Sequence, residues 1–475
     1  MECGGNFTPA PTGIRGVRDN RGVGQGLLAR RRFGFGESNL HETTSPSPLI
    51  VPRSKHRISR ADISEHALKV LYRLKDGGYQ AYLVGGGVRD LLLGREPKDF
   101  DVATDATPEQ VRKVFRNCRL IGRRFRLAHV HFGREIIEVA TFRGGGQDED
   151  ADGGHHIHKG MIVRDNCYGT REEDALRRDF SVNGLYYNIA DFSVIDYAGG
   201  LDDLRAGRLR LIGDDPEQRY REDPVRMLRA VRFACKLGFN IDSSCERPLF
   251  ELGHLLRDIP PARLFEEVLK LLQTGLGLCA FEKLRHYRLF AQLFPTTDAL
   301  LDHEDHNFPI TFVSRGLENT DRRIREEQPV TPAFLFAVLL WEPVRRRFTQ
   351  LLAGDMAANE AMLLAAGDAC ARQRSLVAIP KRLVLPMREI WSLQPRLERR
   401  EGKRPHRLLA HPRFRAAYDF LLLRAEAGEV DSALADWWTR FQAANSQTQA
   451  EMTAGTTKGR RRRRRAAIEK EMAGT

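Results

Sequence analysis

The fold of this 475-residue chain is decided by YLVGGGVRDLLLGREPKDFD, residues 82–101. An apolar run at 82–84 ends in Gly85, Gly86 and Gly87. Arg89, a leucine run and Gly94 follow, then a polar loop and Asp99-Phe100-Asp101. The pattern predicts a strand, a tight turn, a short helix, a loop and a second strand bearing two carboxylates. Residues two apart on a strand share a face, roughly 6.6–6.8 Å apart along it, so Asp99 and Asp101 converge while Phe100 and Val102 face the core. The turn presents backbone N–H groups and a helix start, both suited to phosphate. Phosphate cradle and carboxylate pair together imply metal-assisted chemistry on a nucleotide. Either half alone is weak, because glycine turns also serve close packing and Asp-x-Asp occurs on ordinary exposed strands. The stretch lacks the Lys-Ser/Thr of a P-loop and the glycine spacing of a dinucleotide-binding turn.

The length allows about three domains with separate cores. Lys and Arg number 76 against 63 acidic residues, a net charge of +13 that favours polyanionic partners. Cys3, Cys118, Cys167, Cys235, Cys245, Cys279 and Cys370 are odd in number and scattered, without a Cys-x-x-Cys. They read as the thiols of a reduced, cytoplasmic protein, with neither a disulfide framework nor a zinc site. No apolar run is long enough to span a bilayer, and the N-terminus lacks a signal-peptide core.

Residues 1–55, rich in Gly, Arg, Ser and Pro, are expected to be disordered. Ile63, Ala67, Val70, Leu71 and Leu74 predict one apolar helix face ending at Gly77-Gly78. Thr107-Pro108-Glu109-Gln110 predicts a capping box opening a helix to about residue 116. Strand-like runs at 128–132 and 135–142 join through Gly133, and Glu138 or Glu135 on the second can complete a metal site or be a solvated strand residue. A Gly, Asp and His loop at 143–162, with His155, His156 and His158, reads as mobile rather than metal-binding. Within EEDALRRDFSVN, residues 172–183, Arg178, Asp179 and Asn183 stand at helical spacing. They suit a nucleotide's phosphate and ribose, or simply a charge-laced helix.

From about residue 196 the composition becomes helical. Asp223-Pro224 reads as a helix cap followed by Pro, and Arg226, Arg229 and Arg232 recur every third residue beyond it. Paired, Asp223 and Arg226 can read a base edge, the carboxylate accepting from an exocyclic amine and the guanidinium donating to a ring nitrogen. Adenine and cytosine both satisfy that pair. From Lys381 and Arg382 the helices turn basic, including Arg399, Arg400, Lys403 and Arg404. Trp391, Phe414 and Tyr418 are interleaved and read as core. The chain closes with Arg460, Arg461, Arg462, Arg463, Arg464 and Arg465 uninterrupted, a solvated tail suited to RNA phosphates.

GGGVRDLLLG, KDFDVAT, IIEVATFRG, RRDFSVNGLYY and EDPVRMLRAVRFACKLGF, in that order, resemble the class II nucleotidyltransferases, which include CCA-adding enzymes and bacterial poly(A) polymerases. The resemblance covers about residues 50–445. It implies an α+β architecture, a small mixed-sheet, palm-like catalytic head followed by all-helical neck, body and RNA-binding parts. The expected division is a disordered extension at 1–55, the head at 56–195, the neck at 196–258, the body at 259–370, a basic RNA-binding region at 371–448 and an Arg-rich disordered tail at 449–475. By the resemblance, Asp99, Asp101 and Glu138 bind two Mg²⁺ ions, for which Mn²⁺ can substitute. Gly85, Gly86 and Arg89 hold the triphosphate of ATP, Arg178, Asp179 and Asn183 position the nucleotide, and Asp223 and Arg226 face its base. The implied partners are single-stranded RNA 3′ ends with little sequence preference and proteins of RNA degradation or RNA chaperoning, the enzyme itself being a monomer. IGRRFRLAHV at 121–130 and the basic C-terminal region favour poly(A) synthesis over CCA addition to tRNA. A catalytically decayed RNA-binding protein is the remaining alternative, opposed by the intact carboxylates.

Overall fold

The structure is a computed structural model that describes residues 47–122, 126–144, 156–158, 161–164, 167–305, 308–309 and 311–454. Its strands are β1 (Leu49–Val51), β2 (Ala81–Val84), β3 (Asp101–Thr104), β4 (Cys118–Ile121), β5 (Leu127–Phe132), β6 (Glu135–Thr141), β7 (His156–His158), β8 (Met161–Arg164), β9 (Leu185–Asn188) and β10 (Val194–Asp196), with two short pairs further on. Eight of them form one mixed sheet in the order β1-β10-β9-β2-β3-β6-β5-β4. Neighbours are antiparallel except β3 and β6, whose parallel pairing sets Asp101 opposite Glu138.

Ala67, Val70, Leu71 and Leu74 are all buried along one side of α1 (Glu65–Asp76), and the Ser64 side chain caps its first turn. Full burial of an aliphatic side chain contributes about 1.5–3 kcal/mol, against about 1 kcal/mol for a cap, so packing on the sheet holds this helix more strongly than its start signal does. β2 is buried on both faces: Leu83 joins the core under α1, whereas Tyr82 and Val84 pack on the opposite side with Ala103, Phe142 and Tyr186. Gly85, at φ +67°, turns the chain from β2 into α2 (Gly86–Leu92). α3 (Pro108–Val114) opens with the expected capping box: Thr107 accepts from Gln110 N–H and Gln110 accepts from Thr107 N–H. It ends two residues earlier than expected.

Four differences from the sequence expectation concern the head. Leu49–Val51, inside the stretch expected to be disordered, pairs with β10 at the sheet edge. Strand β3 begins at Asp101, so Asp99 stands in the loop before it, and only Asp101 has its direction set by the pleat. The helix carrying EEDALRRDFSVN stops early, because α4 is only Arg171–Leu176 and Ser181–Asn183 is a separate 3₁₀ turn. Part of the loop expected at 143–162 is a hairpin of β7 and β8, while His155 lies outside the described residues.

The remainder is helical: α5 (Gly200–Ala206), α6 (Pro216–Glu222), α7 (Val225–Leu237), α8 (Ser243–Leu252), α9 (Pro261–Leu272), α10 (Gly277–His286), α11 (Phe290–Leu293) and α12 (Pro295–Leu301). Then follow α13 (Phe312–Arg325), α14 (Pro332–Leu339), α15 (Trp341–Ala353), α16 (Ala358–Gln373), α17 (Lys381–Leu397), α18 (Arg404–Leu409), α19 (Phe414–Glu426), α20 (Ser432–Ala443) and α21 (Ser446–Thr453). The last of these occupies the start of the stretch expected to be a disordered tail. One continuous cluster of buried side chains runs from Ile58 through α7, α9 and α14 to Leu423, and a smaller one, including Trp438, joins α17, α19 and α20. Trp391, Phe414 and Tyr418 are buried, as read. Cys235 on α7 and Cys279 on α10 form a disulfide, their Cα atoms 6.1 Å apart, which corrects the expectation of thiols only. A separation of 44 residues leaves no local spacing to read; only the packing of α7 on α10 brings the two together. Among the described residues no helix is long and apolar enough to cross a membrane.

Candidate active site

A cavity of about 1250 Å³ lies between the β2–α2 turn, the start of β3, and helices α7 and α9. Gly85, Gly86, Arg89, Asp99, Asp101, Arg178, Asp179, Asn183, Asp223 and Arg226, ten of the eleven residues expected at the catalytic and nucleotide-binding positions, line it. Glu138 does not. Its strand position beside Asp101 is as expected, but its carboxylate lies 3.2 Å from His129 Nε2. Glu135, the other candidate, accepts from Ser64 Oγ at 2.8 Å and contacts His66 Nδ1 at 2.5 Å, which leaves Glu138 as the carboxylate near Asp101.

Burial pushes the Asp101 carboxyl up to about 6; Glu138 and Asp99 add to the rise and Arg178 opposes it. Three carboxylates with one opposing guanidinium form an all-oxygen set whose repulsion a hard divalent cation relieves, so these residues fit such an ion. Among the described residues no three His, Cys, Asp or Glu side chains already converge on a common point.

Behind the carboxylates the polar groups are tied together. Arg89, 1% exposed, donates to Asp90 and, at 2.6 Å, to Asn183 Oδ1. Asn183 donates to Asp179, whose other oxygen accepts from Arg229 Nε at 2.7 Å. Burial works to raise the Asp179 carboxyl, but Arg229, with the Asn183 amide and the Phe180 N–H, outweighs it and holds the group below the usual range. Arg178 is gripped by Asp174 and the Tyr186 hydroxyl, which keep it charged despite burial. Gly85 lets this guanidinium approach, since a Cβ there would lie 3.2 Å from Arg178 Nη1. Arg178, Asp179 and Asn183 therefore do not lie along one helix: Asn183 bonds Asp179 directly, Arg89 and Arg229 reach these two from elsewhere in the chain, and Arg178 is held separately by Asp174 and Tyr186.

Asp223 and Arg226 do not bond to each other. Arg226 donates to Glu222 at 2.8 Å and to the Arg219 carbonyl at 2.6 Å, whereas Asp223 accepts from Arg263 of α9 at 2.7 Å. α7 begins at Val225 with Pro224 at its cap position, and the Asp223 carboxylate receives Val225 N–H at 3.3 Å. Glu222, one turn before Arg226, is the nearer partner for its guanidinium. Both residues still face the cavity. The residues missed from sequence were Arg263, Asp174 and Phe233, over whose ring the guanidiniums of Arg89, Arg229 and Arg232 stand at 5.4, 5.5 and 5.0 Å. The three-residue repeat of arginines was visible; the ring between them needed the helix placed. Lys381, Arg382, Arg399, Arg400, Lys403 and Arg404 are exposed at the start of α17 and around the α17–α18 connection, and Arg460, Arg461, Arg462, Arg463, Arg464 and Arg465 lie outside the described residues.

The fold is like that of the CCA-adding enzymes: the crystal structure of Bacillus stearothermophilus CCA-adding enzyme in complex with CTP superposes with a TM-score of 0.54 and 24% identity, over 81% of this chain and 86% of that one. Family models described as "Poly A polymerase head domain", "Probable RNA and SrmB- binding site of polymerase A" and "Polymerase A arginine-rich C-terminus" match residues 81–210, 238–301 and 354–470. The poly(A) polymerase I of Salmonella typhi is 53% identical over 423 residues, 88% of this chain and 90% of that protein. The CCA-adding enzyme of Lactobacillus helveticus is 35% identical over 51% of this chain and 56% of its own length. The chain belongs to the poly(A) polymerase I family.

Proposed function

We propose that this chain, a poly(A) polymerase by family, extends RNA 3′ ends with AMP from ATP and releases pyrophosphate. The observation that carries the site assignment is the shared cavity, in which Asp99 and Asp101 face Arg178, Asp179, Asn183, Asp223 and Arg226. The RNA 3′-hydroxyl attacks the α-phosphate in line, with the carboxylate edge on one side of the reacting atoms and the arginine-lined wall on the other. Asp99 and Asp101, with Glu138 beside Asp101 but outside the cavity lining, would hold two divalent ions, Mg²⁺ or Mn²⁺, which would lower the pKa of the attacking hydroxyl and neutralise charge on the leaving group.

The protein's own groups bind and orient. Gly85 and Gly86 leave backbone room for the triphosphate. Arg178 contributes a fixed positive charge, while Arg89 acts mainly by holding Asn183 in place. Asp179 anchors Arg229, and Asp223 and Arg226 present an acceptor and donors to the base. Because adenine and cytosine both match such a pair, choice between them falls to pocket shape, and Arg263 bound to Asp223 restricts that shape. Exposed Lys381, Arg382, Arg399, Arg400, Lys403 and Arg404 contact RNA phosphates without reading sequence. The head and neck divide catalysis from base recognition, and the helices beyond carry the strand.

Incubation of the protein with Mg²⁺, an unstructured RNA primer and each NTP in turn is expected to give extension with ATP alone. Strict stopping after CCA on tRNA, with no tailing of the primer, would instead make this a CCA-adding enzyme.

A further inference from the structure

A second hollow, of about 260 Å³, opens where α12, α15 and α16 meet, outside the residues of the catalytic cavity. Helical spacing brings Pro343, Arg347 and Gln350 to one side of α15, and Asp368 and Arg372 line the same hollow from α16. Leu340, 2% exposed, and Leu300 contribute an apolar lining. Around them stand three guanidiniums, Arg346, Arg347 and Arg372, against the single carboxylate of Asp368, which Arg347 already holds at 3.1 Å. Arg346 and Arg372 are exposed and form no ion pair among the described residues. Positive charge left unmatched beside an apolar lining selects an anion that carries a flat, weakly polar group. The hollow is smaller than the ~300–1,000 Å³ of sites that enclose a whole small molecule, so it suits one base of a longer strand.

We propose that this hollow is an anchoring subsite for single-stranded RNA, with one unpaired base against the apolar lining and the flanking phosphates on Arg346 and Arg372. An acidic protein segment matches the guanidiniums but brings no flat group to the lining, which favours RNA as the occupant. The inference rests on RNA being the substrate, and it concerns how the strand is retained, not how the bond forms.

The test is equilibrium binding of a fluorescent oligo(A) to the full chain, without ATP, across a salt series. Arg346→Ala with Arg372→Ala is expected to weaken binding roughly 5- to 10-fold at low salt and to reduce the slope of log K against log salt by about 1.4, at ~0.7 per lost phosphate contact. Leu300→Gln should weaken binding while leaving the slope unchanged, because it removes apolar contact and no charge. AMP addition at saturating RNA should match that of the unaltered enzyme in both variants. Unchanged affinity and slope in the double arginine variant overturn the proposal, and an acidic protein partner would produce that result. Since binding is read without ATP, an unaltered enzyme that binds RNA but adds no AMP would defeat the catalytic reading alone.

Discussion

The two walls of the candidate active-site cavity are built on opposite electrostatic plans. On the sheet side, Asp99 and Glu138 are exposed and crowd Asp101, with Arg178 as the opposing charge. On the helical side, every charge named in the site except Arg232 is tied to a partner: Arg229 to Asp179, Arg226 to Glu222, and Arg263 to Asp223. Arg232 instead lies over Phe233, and burial with the nearby Arg229 lowers its proton affinity. The sheet side thus carries charge that a bound cation would relieve, whereas the helical side is already paired. Preorganised donors cost no rearrangement during reaction, and a cation site must stay unsatisfied until it is filled.

That contrast can be broken at several points. Asp101→Ala should lower AMP incorporation by more than about 100-fold, because loss of mere outer-shell partners of a metal ligand already costs roughly 10–100-fold. RNA affinity should stay within a few-fold, so primer-extension rates measured beside binding isotherms decide the matter; equal incorporation by the variant would sink the carboxylate assignment. Arg263→Ala should free Asp223 and raise CTP use relative to ATP by about 10-fold, the worth of one charged hydrogen bond. Competition between the two nucleotides reads this directly, and an unchanged ratio would show that Arg263 does not shape the pocket.

Smaller effects belong to the scaffold. Asp179→Ala should destabilise the protein by about 2 kcal/mol in urea unfolding, less than the ~3–5 of a fully buried pair because Arg229 is one-third exposed. A loss below about 0.5 kcal/mol would mean that the helical wall does not depend on this link. Thr107→Ala, in a cap remote from the cavity lining, should cost about 1 kcal/mol and leave nucleotide selectivity untouched. A change in selectivity there would argue that the two walls are coupled through the head.

Local chemistry was legible where its cause is local. The Thr107 capping box, the Gly133 hairpin, the apolar face of α1 and the glycine turn each act over a few residues, so their patterns lie side by side in the chain. The order of the nucleotidyltransferase motifs named the class of chemistry, and ten of eleven expected catalytic and nucleotide-binding residues do line one cavity. What composition and spacing left open was partner choice. Arg226 prefers Glu222, Asp223 reaches forty residues onward to Arg263, and Cys235 meets Cys279 only because α7 packs on α10. Helical spacing likewise suggested one helix for Arg178, Asp179 and Asn183, while the structure breaks that helix and holds the three by separate partners, Asp174, Arg229 and Arg89.

For residues 82–101, then, the sequence alone determined the strand, the tight glycine turn, the short helix and the presence of two carboxylates, since backbone sterics and side-chain period act between near neighbours. Only the tertiary structure decided that Asp101 stands on the strand and Asp99 before it, that Glu138 lies beside Asp101 through a parallel pairing, and that Arg178 lies against Gly85. Those relations are set by sheet register and helix packing, which depend on burying the whole core at once and leave no mark in any single stretch of chain.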